Sequence, residues 1–189
     1  LSLVAGSIIE GDKLVVYSHS LNALDLLEKI LASKWGTALR GINPGPNAPN
    51  GVLFKCWQKD IHYGRLDGST PAKDRQKLIN KFSSNARMSL MMISTRAGGT
   101  GINLQAANRC IIFDSSWNPS HDLQAMHRCY RMGQTKEVFV YRLLSYGSME
   151  EKLYKRQIVK QQLSARVVDA ETPDNLYTNE EIEQLLTFD

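Results

Sequence analysis

Residues 88–119 read MSLMMISTRAGGTGINLQAANRCIIFDSSWNP. Two runs within it, LMMI (90–93) and CIIF (110–113), are apolar at consecutive positions. Strands covered on both faces have that pattern, and parallel sheets are built from such strands. The first run ends on Ser94, Thr95 and Arg96, followed by glycines 98, 99 and 101. In open parallel sheets, ligands bind at the carboxyl ends of the strands. Glycines placed there let backbone N–H groups come close to a phosphate. The dinucleotide fingerprint does not fit, because its third glycine and its later ribose-binding acid are missing from the required places.

The same alternation extends in both directions. LVVY (14–17) precedes SHSLNALDLLEKIL (18–31), in which Leu21, Leu24, Leu27 and Leu31 mark one helical face. GINPGPNAPNG (41–51) has three prolines and three glycines and reads as a loop. IHYGRL (61–66) reads as a strand. STPAKDRQKLINKF (69–82) reads as a helix with Thr70 as N-cap and Pro71 at the first helical position. VFVYRLL (138–144) supplies a further strand. Strands alternating with helices predict an α/β domain with a central parallel sheet. The end of the chain differs. Ser148 with Glu151 makes a capping box opening a helix over 148–168, and Thr178 with Glu181 makes another before 180–186. With no strand between them, these helices are expected to form an appendage on the sheet domain.

A chain of 189 residues suits one ordinary domain, and 42% hydrophobic with 22% charged residues is a globular composition. No stretch approaches the ~18 apolar residues of a membrane span, so no membrane partner is expected. The chain shows no signal peptide and opens on Leu1 rather than Met, which suggests a piece of something longer. Cys56, Cys110 and Cys129 lack CxxC spacing and read as reduced thiols of an intracellular protein. The net charge of +4 is uneven. Residues 61–110 carry eight Lys/Arg against two Asp, whereas the last twenty carry six acids and no base. A basic middle points to a polyanionic partner, although ordinary solvated faces would also account for it.

QAMHRCYRMGQ (124–134) places two arginines three apart between two glutamines. On a helix Gln124, Arg128 and Arg131 would share one face. Ala125, Cys129 and Met132 would form an apolar stripe beside it. The plainer reading is a pair of solvated arginines. None of the four histidines has convincing metal-ligand spacing, so no metal site is expected. The sequence contains no G-x-x-x-x-G-K-[ST] and no Gly-Lys dipeptide, so it carries no phosphate-cradling loop of that kind.

STRAGGTGINLQAANRCIIFDSSWNP followed by QAMHRCYRMGQ resembles motifs V and VI of helicase superfamily 2. The forms DSSWNP and RMGQ resemble those of the SWI/SNF-type chromatin-remodelling ATPases. KLVVYSHSLNALDLLEKIL (13–31) and RLDGSTPAKDRQKLINKF (65–82) match that family's intervening motifs in the same order. Tyr130, the insertion ending KCWQKDIHYGRLDG and the ending YKRQIVKQQLSARVVD are similar to the subgroup of the alpha-thalassaemia/X-linked chromatin remodeller and the androgen-receptor-interacting helicase. The resemblance covers nearly all of residues 1–168.

It implies a RecA-like helicase lobe over 1–147, interrupted by an insertion at about 33–58, with a helical extension over 148–189. The lobe would be the second of two in a DNA-dependent ATPase that translocates on duplex DNA. Its partners would be the N-terminal RecA-like lobe of the same protein and double-stranded DNA or the nucleosome. ATP with Mg2+ would be held mainly by that first lobe. By the same resemblance Arg128 and Arg131 would be arginine fingers reaching the γ-phosphate. Gln124 would position the fingers or the nucleotide, Gly101 would line the cleft, and Asn103 would face the ribose, unless it merely caps a turn. Ser94, Thr95 and Arg96 would meet the DNA backbone, joined by Ser18, His19 and Ser20 at the end of the first strand. Trp117 and Asn118 would approach one DNA strand, though a loop tryptophan is also a common packing anchor. Asp67, Gly68 and Arg75 would be structural. His127 departs from the acidic residue usual in the family, which removes a salt bridge but not the fingers. Nuclear location rests on the resemblance alone. The competing expectations are a non-catalytic nucleic-acid-binding or scaffold domain, when isolated, and a lobe of an RNA helicase, against which the WNP and RMGQ forms speak.

Overall fold

The computed structural model describes residues 1–38, 57–98, 101–116 and 118–168. Much of the expected insertion, Cys56, Trp117 and the expected helix at 180–186 lie outside them. In chain order the elements are α1 (Ser2–Ile9), β1 (Leu14–Ser18), α2 (Leu21–Ala38), β2 (Tyr63–Leu66), α3 (Ala72–Ser84), β3 (Leu90–Ser94), α4 (Thr95–Gly98), β4 (Arg109–Ile112), α5 (Pro119–Met126), β5 (Phe139–Arg142) and α6 (Met149–Val168). The five strands form one sheet in the order β2-β3-β1-β4-β5, and every pairing is parallel. The expected α/β architecture, a RecA-like parallel sheet flanked by helices, is the observed one.

Register explains the continuous apolar runs. Val15, Tyr17, Met91, Ile93, Cys110 and Ile112 point to one face, where Ile79 and Phe82 of α3, Ala97 of α4 and Ala125 of α5 cover them. Leu14, Val16, Leu90, Met92 and Ile111 point to the other, under Val4, Ala5 and Ile8 of α1 and Leu24 and Leu31 of α2. Neighbours along a strand face opposite sides, so both faces stay dry only if every position is apolar.

Several local expectations need correction. Leu21 does not share the buried face of Leu24 and Leu31; it is 49% exposed at the start of α2. Helix α3 begins at Ala72 with Pro71 as N-cap, one residue later than expected. The Thr70 hydroxyl instead accepts from the Asp67 N–H at 3.1 Å, and the Asp67 carboxylate accepts from the Ser69 N–H and hydroxyl. The Asp–Gly turn thus claims the threonine before the helix can. Arg75 closes the same turn, its Nε donating to the Thr70 carbonyl at 3.0 Å. At the expected insertion, α2 runs on to Ala38, and the backbone N–H of buried Trp57 donates to the Leu31 carbonyl. The Ser148 box is shifted by a residue at each partner. The Ser148 hydroxyl accepts from the Glu150 N–H, and Glu151 reaches back to the Gly147 N–H. Gln157 and Val159 of α6 are buried against the lobe.

Two ion-pair groups and one half-buried lysine tie the layers together. Arg65 of β2 bonds Asp25 and Glu28 of α2 and the Asp67 turn. Asp12 holds both Arg109 and Lys136, joining the start of β4 to the approach to β5. Lys13 is half-buried, lies over the Phe82 ring and donates to the carbonyls of Phe82 and Asn85 at the end of α3. Cations suit a helix C-terminus, where carbonyls are otherwise unpaired.

Burial pushes the Lys13 ammonium down to about 8. Its ordinary value is 10.5, so between those two pH values the unfolded chain holds a proton that the folded chain has released. Stability rises with pH wherever the unfolded state binds more protons. The unfolding free energy of the wild type should therefore gain on that of Lys13→Met as pH is raised through this window. Urea unfolding of both proteins across it measures the gap, and a constant gap would mean Lys13 keeps its ordinary titration.

Candidate functional site

The neighbours β1 and β4 leave the sheet in opposite directions. β1 runs through α2 to the β2 edge, and β4 runs through α5 to the β5 edge. A crevice opens at the carboxyl ends of parallel strands at such a switch point. Here it is a cleft of about 580 Å³ lined by His19, Thr95, Arg96, Gly98, Asp114, Ser115, Ser116, His121, Gln124 and Ala125.

Asp114 spans the switch point. Its carboxylate accepts from the Ser18 hydroxyl at 2.7 Å, the His19 N–H at 2.8 Å and the Ser20 N–H at 3.3 Å. One side chain thereby satisfies the polar groups with which β1 ends. Ser18 and Ser94 are register partners at this edge, and both are buried. The Ser94 hydroxyl accepts from the Ala97 N–H, so both serine hydroxyls are engaged inside the protein. Thr95, Arg96 and His19, by contrast, face the cleft. Ser20 is exposed, and its hydroxyl accepts from the Ala23 N–H at the head of α2.

The loop before α5 is held at Ser116. Its N–H donates to the Asp122 carboxylate at 3.4 Å, its carbonyl accepts from Gln157 of α6, and its hydroxyl accepts from the Asn118 N–H at 3.3 Å. Asn118 caps α5, accepting from the Ser120 N–H at 3.1 Å, with Pro119 opening the helix. The Asp122 side chain is buried in the first turn of α5. Burial pushes its carboxyl up, opposed by the Ser116 N–H and by the charges of Arg142 and His19.

The helix expected across QAMHRCYRMGQ ends at Met126, with His127 as C-cap. Gln124 therefore does not share a helical face with Arg128 and Arg131; it lines the cleft with His19 and Arg96. The apolar stripe breaks at the same place. Ala125 and Cys129 are buried, but Met132 is 96% exposed. The Arg128 and Cys129 N–H groups bond three residues back, to the Ala125 and Met126 carbonyls, and the Arg128 carbonyl accepts from the Leu104 N–H at 3.2 Å. The chain turns instead, with Gly133 at φ +98°. Arg128 is half-buried and Arg131 is exposed on this loop.

The glycine-rich turn divides in two. Gly98 is buried, and a Cβ there would lie 2.9 Å from a Tyr17 ring carbon, so its smallness serves packing. Gly101 is exposed, with φ +70° and open space around it. Asn103 caps a turn: its carbonyl oxygen accepts from the Gln105 N–H and its amide donates to the Gln105 side chain, both at 3.1 Å. Cys110 and Cys129 are free, buried thiols, and their mutual contact together with burial pushes the Cys110 thiol up. Among the described residues no group of three or more His, Cys, Asp or Glu could hold a metal ion.

Sequence reading passed over Asp114, Ser116, His121 and Asp122. Asp114 closes an apolar strand, which is the signal that singled out Ser94. Asp114→Asn leaves an amide facing the Ser18 hydroxyl and the Ser20 N–H. Urea denaturation of the chain should show it less stable than wild type by about 1–3 kcal/mol. An unchanged midpoint would mean that water replaces the carboxylate without loss.

Comparison with known proteins places this geometry. A model of the helicase conserved C-terminal domain matches residues 49–133. Helicase ARIP4 of Xenopus tropicalis is 45% identical over 188 residues, 98% of this chain and 13% of that protein. The human transcriptional regulator ATRX is 48% identical over 184 residues, 95% of this chain and 7% of ATRX. Protein CHROMATIN REMODELING 20 of Arabidopsis thaliana is 44% identical over 192 residues, all of this chain and 12% of that protein. The chain thus spans only 7–13% of these relatives' lengths. The crystal structure of the C-terminal part of the Fun30 ATPase domain superposes with a TM-score of 0.63 at 34% identity, over 95% of this chain and 48% of that one. With the parallel sheet, the cleft at its switch point and the arginine loop in place, the chain belongs to the SWI/SNF-type (SNF2) helicase family as a RecA-like C-terminal lobe, in the group that includes ATRX and ARIP4.

Proposed function

We propose that this lobe is the second motor half of a nuclear, DNA-dependent ATPase that translocates on duplex DNA and remodels chromatin or other protein–DNA complexes. One observation carries the reading. Thr95, Arg96 and His19 line a cleft at the carboxyl ends of β3 and β1, while Arg128 and Arg131 stand on a separate loop tied to residues 104–107. A motor needs these two surfaces distinct, one gripping a polyanion and one completing a nucleotide site.

The first surface grips DNA through its phosphates. Arg96 offers a charge and Thr95 a hydroxyl from the start of α4, and His19 adds a ring from the end of β1. Ser18, Ser94 and Ser20 shape this edge through their internal bonds, and Asn118 caps α5, whose His121 and Gln124 line the same cleft. Contacts of this kind depend strongly on salt and weakly on base sequence.

The second surface meets ATP bound on the N-terminal lobe of the same protein, where magnesium is also held. Gly101 leaves open space beside the site, Asn103 holds the adjoining turn through Gln105, and Gln124, on the cleft wall, helps to position the nucleotide. Phosphoryl transfer is accelerated mainly by positioning and charge stabilisation, and a guanidinium gives a fixed, forked, permanent charge. Arginine fingers contribute about 10³–10⁵ in rate. Closure of the two lobes on ATP and reopening after hydrolysis would move the grip along the duplex.

Arg131→Ala in the full two-lobe motor should abolish DNA-stimulated ATP turnover while leaving duplex binding intact. Normal hydrolysis by that variant would make the lobe a nucleic-acid-binding scaffold instead. Arg96→Ala should weaken duplex binding equally across sequences and lower the slope of log affinity against log salt by about 1. A salt titration of fluorescent duplex binding reads this directly, and an unchanged slope would remove Arg96 from the DNA surface.

A further inference from the structure

The glutamine that closes QAMHRCYRMGQ is one of the residues that tie the arginine loop to residues 104–107, and its surroundings are specific. Gln134 is half-buried, and its amide nitrogen faces three backbone carbonyls: Gln105 at 2.9 Å, Ala107 at 3.0 Å and Cys129 at 3.4 Å. An amide has two hydrogens, so the shorter pair takes them and Cys129 sits at the weak limit. The side-chain oxygen accepts from the Lys136 N–H at 3.0 Å. Both ends of the amide are therefore occupied by main chain.

Gln105 answers from the opposite segment. Its amide donates to the Met132 carbonyl. A Cβ at Gly133 would lie 3.2 Å from that amide nitrogen, so the loop passes close over it. With the Arg128 carbonyl on the Leu104 N–H, residues 128–134 hang from residues 104–107 at their start, middle and end. Among the described residues this stretch belongs to no helix or strand, so these bonds set its shape. Gln105 is in turn bonded to Asn103. A side-chain and main-chain path thus runs from Asn103 through Gln105 to the arginine loop.

We propose that Gln134, with Gln105 as its counterpart, is the positioning residue of the arginine loop, holding Arg128 and Arg131 in advance of lobe closure. The proposal rests on the reading of these arginines as fingers. A guanidinium ordered beforehand loses less freedom on closure, and small misplacements of such a group are costly in rate.

The test uses the full two-lobe motor and measures kcat and KM for DNA-stimulated ATP hydrolysis, duplex affinity and urea midpoint. Gln134→Glu keeps the oxygen facing Lys136 and turns a negative oxygen on the carbonyls; Gln134→Lys restores a donor to them. Gln134→Glu should lower kcat about 10–100-fold. Its KM for ATP should change less than about threefold and its duplex affinity should hold, while the urea midpoint falls but leaves the variant folded under assay conditions. Gln134→Lys should recover most of the lost turnover. Gln105→Ala should fall between, and it serves as the test should Gln134→Glu fail to fold.

Turnover by Gln134→Glu within about twofold of wild type, with Arg131→Ala inactive, would overturn this inference and leave the finger reading standing. Normal turnover by Arg131→Ala would overturn both. A loss that follows only the unfolded fraction, with no recovery in Gln134→Lys, would reduce Gln134 to a structural residue.

Discussion

Every feature of this lobe depends on β1 being paired in parallel on both edges while both its faces are covered. Leu14 and Val16 face α1 and α2, and Val15 and Tyr17 face α3, α4 and α5. Backbone hydrogen bonding is satisfied along β1 by β3 and β4, so the strand can be wholly apolar. That arrangement brings the carboxyl ends of β1, β3 and β4 side by side. The polar residues following each strand, Ser18-His19, Ser94-Thr95-Arg96 and Asp114, are thereby gathered at one edge although they lie up to 96 residues apart. Burying an apolar sheet has forced all the local polarity to its end.

At that edge the polar groups divide their work. Ser18 and Ser94 face inward and are satisfied by Asp114 and by the Ala97 N–H respectively, as groups close to a dry core must be. His19, Thr95 and Arg96 stay turned to the cleft. Ser116 shows the same economy: its N–H, carbonyl and hydroxyl are all taken, and one of those partners comes from α6. The helical extension is therefore bonded to the loop that leads into α5, and change in one should be felt in the other.

The strands and most helices were legible in the sequence because the signals were local. Consecutive apolar residues marked β1, β3 and β4, a period near 3.6 marked α2, and start signals at Thr70 and Pro71 marked α3. The failures came where a predicted partner was already engaged elsewhere. QAMHRCYRMGQ has no breaker before Gly133, so periodicity carried the helix through both arginines. In the folded chain Leu104 takes the Arg128 carbonyl and the helix stops at Met126. Thr70 failed as an N-cap for a local reason, its hydroxyl being claimed by the Asp67 turn three residues back. Helix α1 drew no notice, since its mostly apolar residues SLVAGSII show little helical contrast.

The sequence alone determined the class of fold, the order of motifs and the residue types available for chemistry. Those follow from hydrophobic periodicity and from short motifs, which are properties of neighbours along the chain. Tertiary structure alone decided which of these residues meet. It put Gln124 beside Arg96 rather than beside Arg128, gave Asn103 to a turn, and made Asp114 the clasp of the β1–β4 crevice. It also assigned Gln134 three carbonyls from two segments. The physical reason is the same throughout. A polar side chain near a buried sheet must find its partner in space, and the partner's distance along the chain plays no part in that choice.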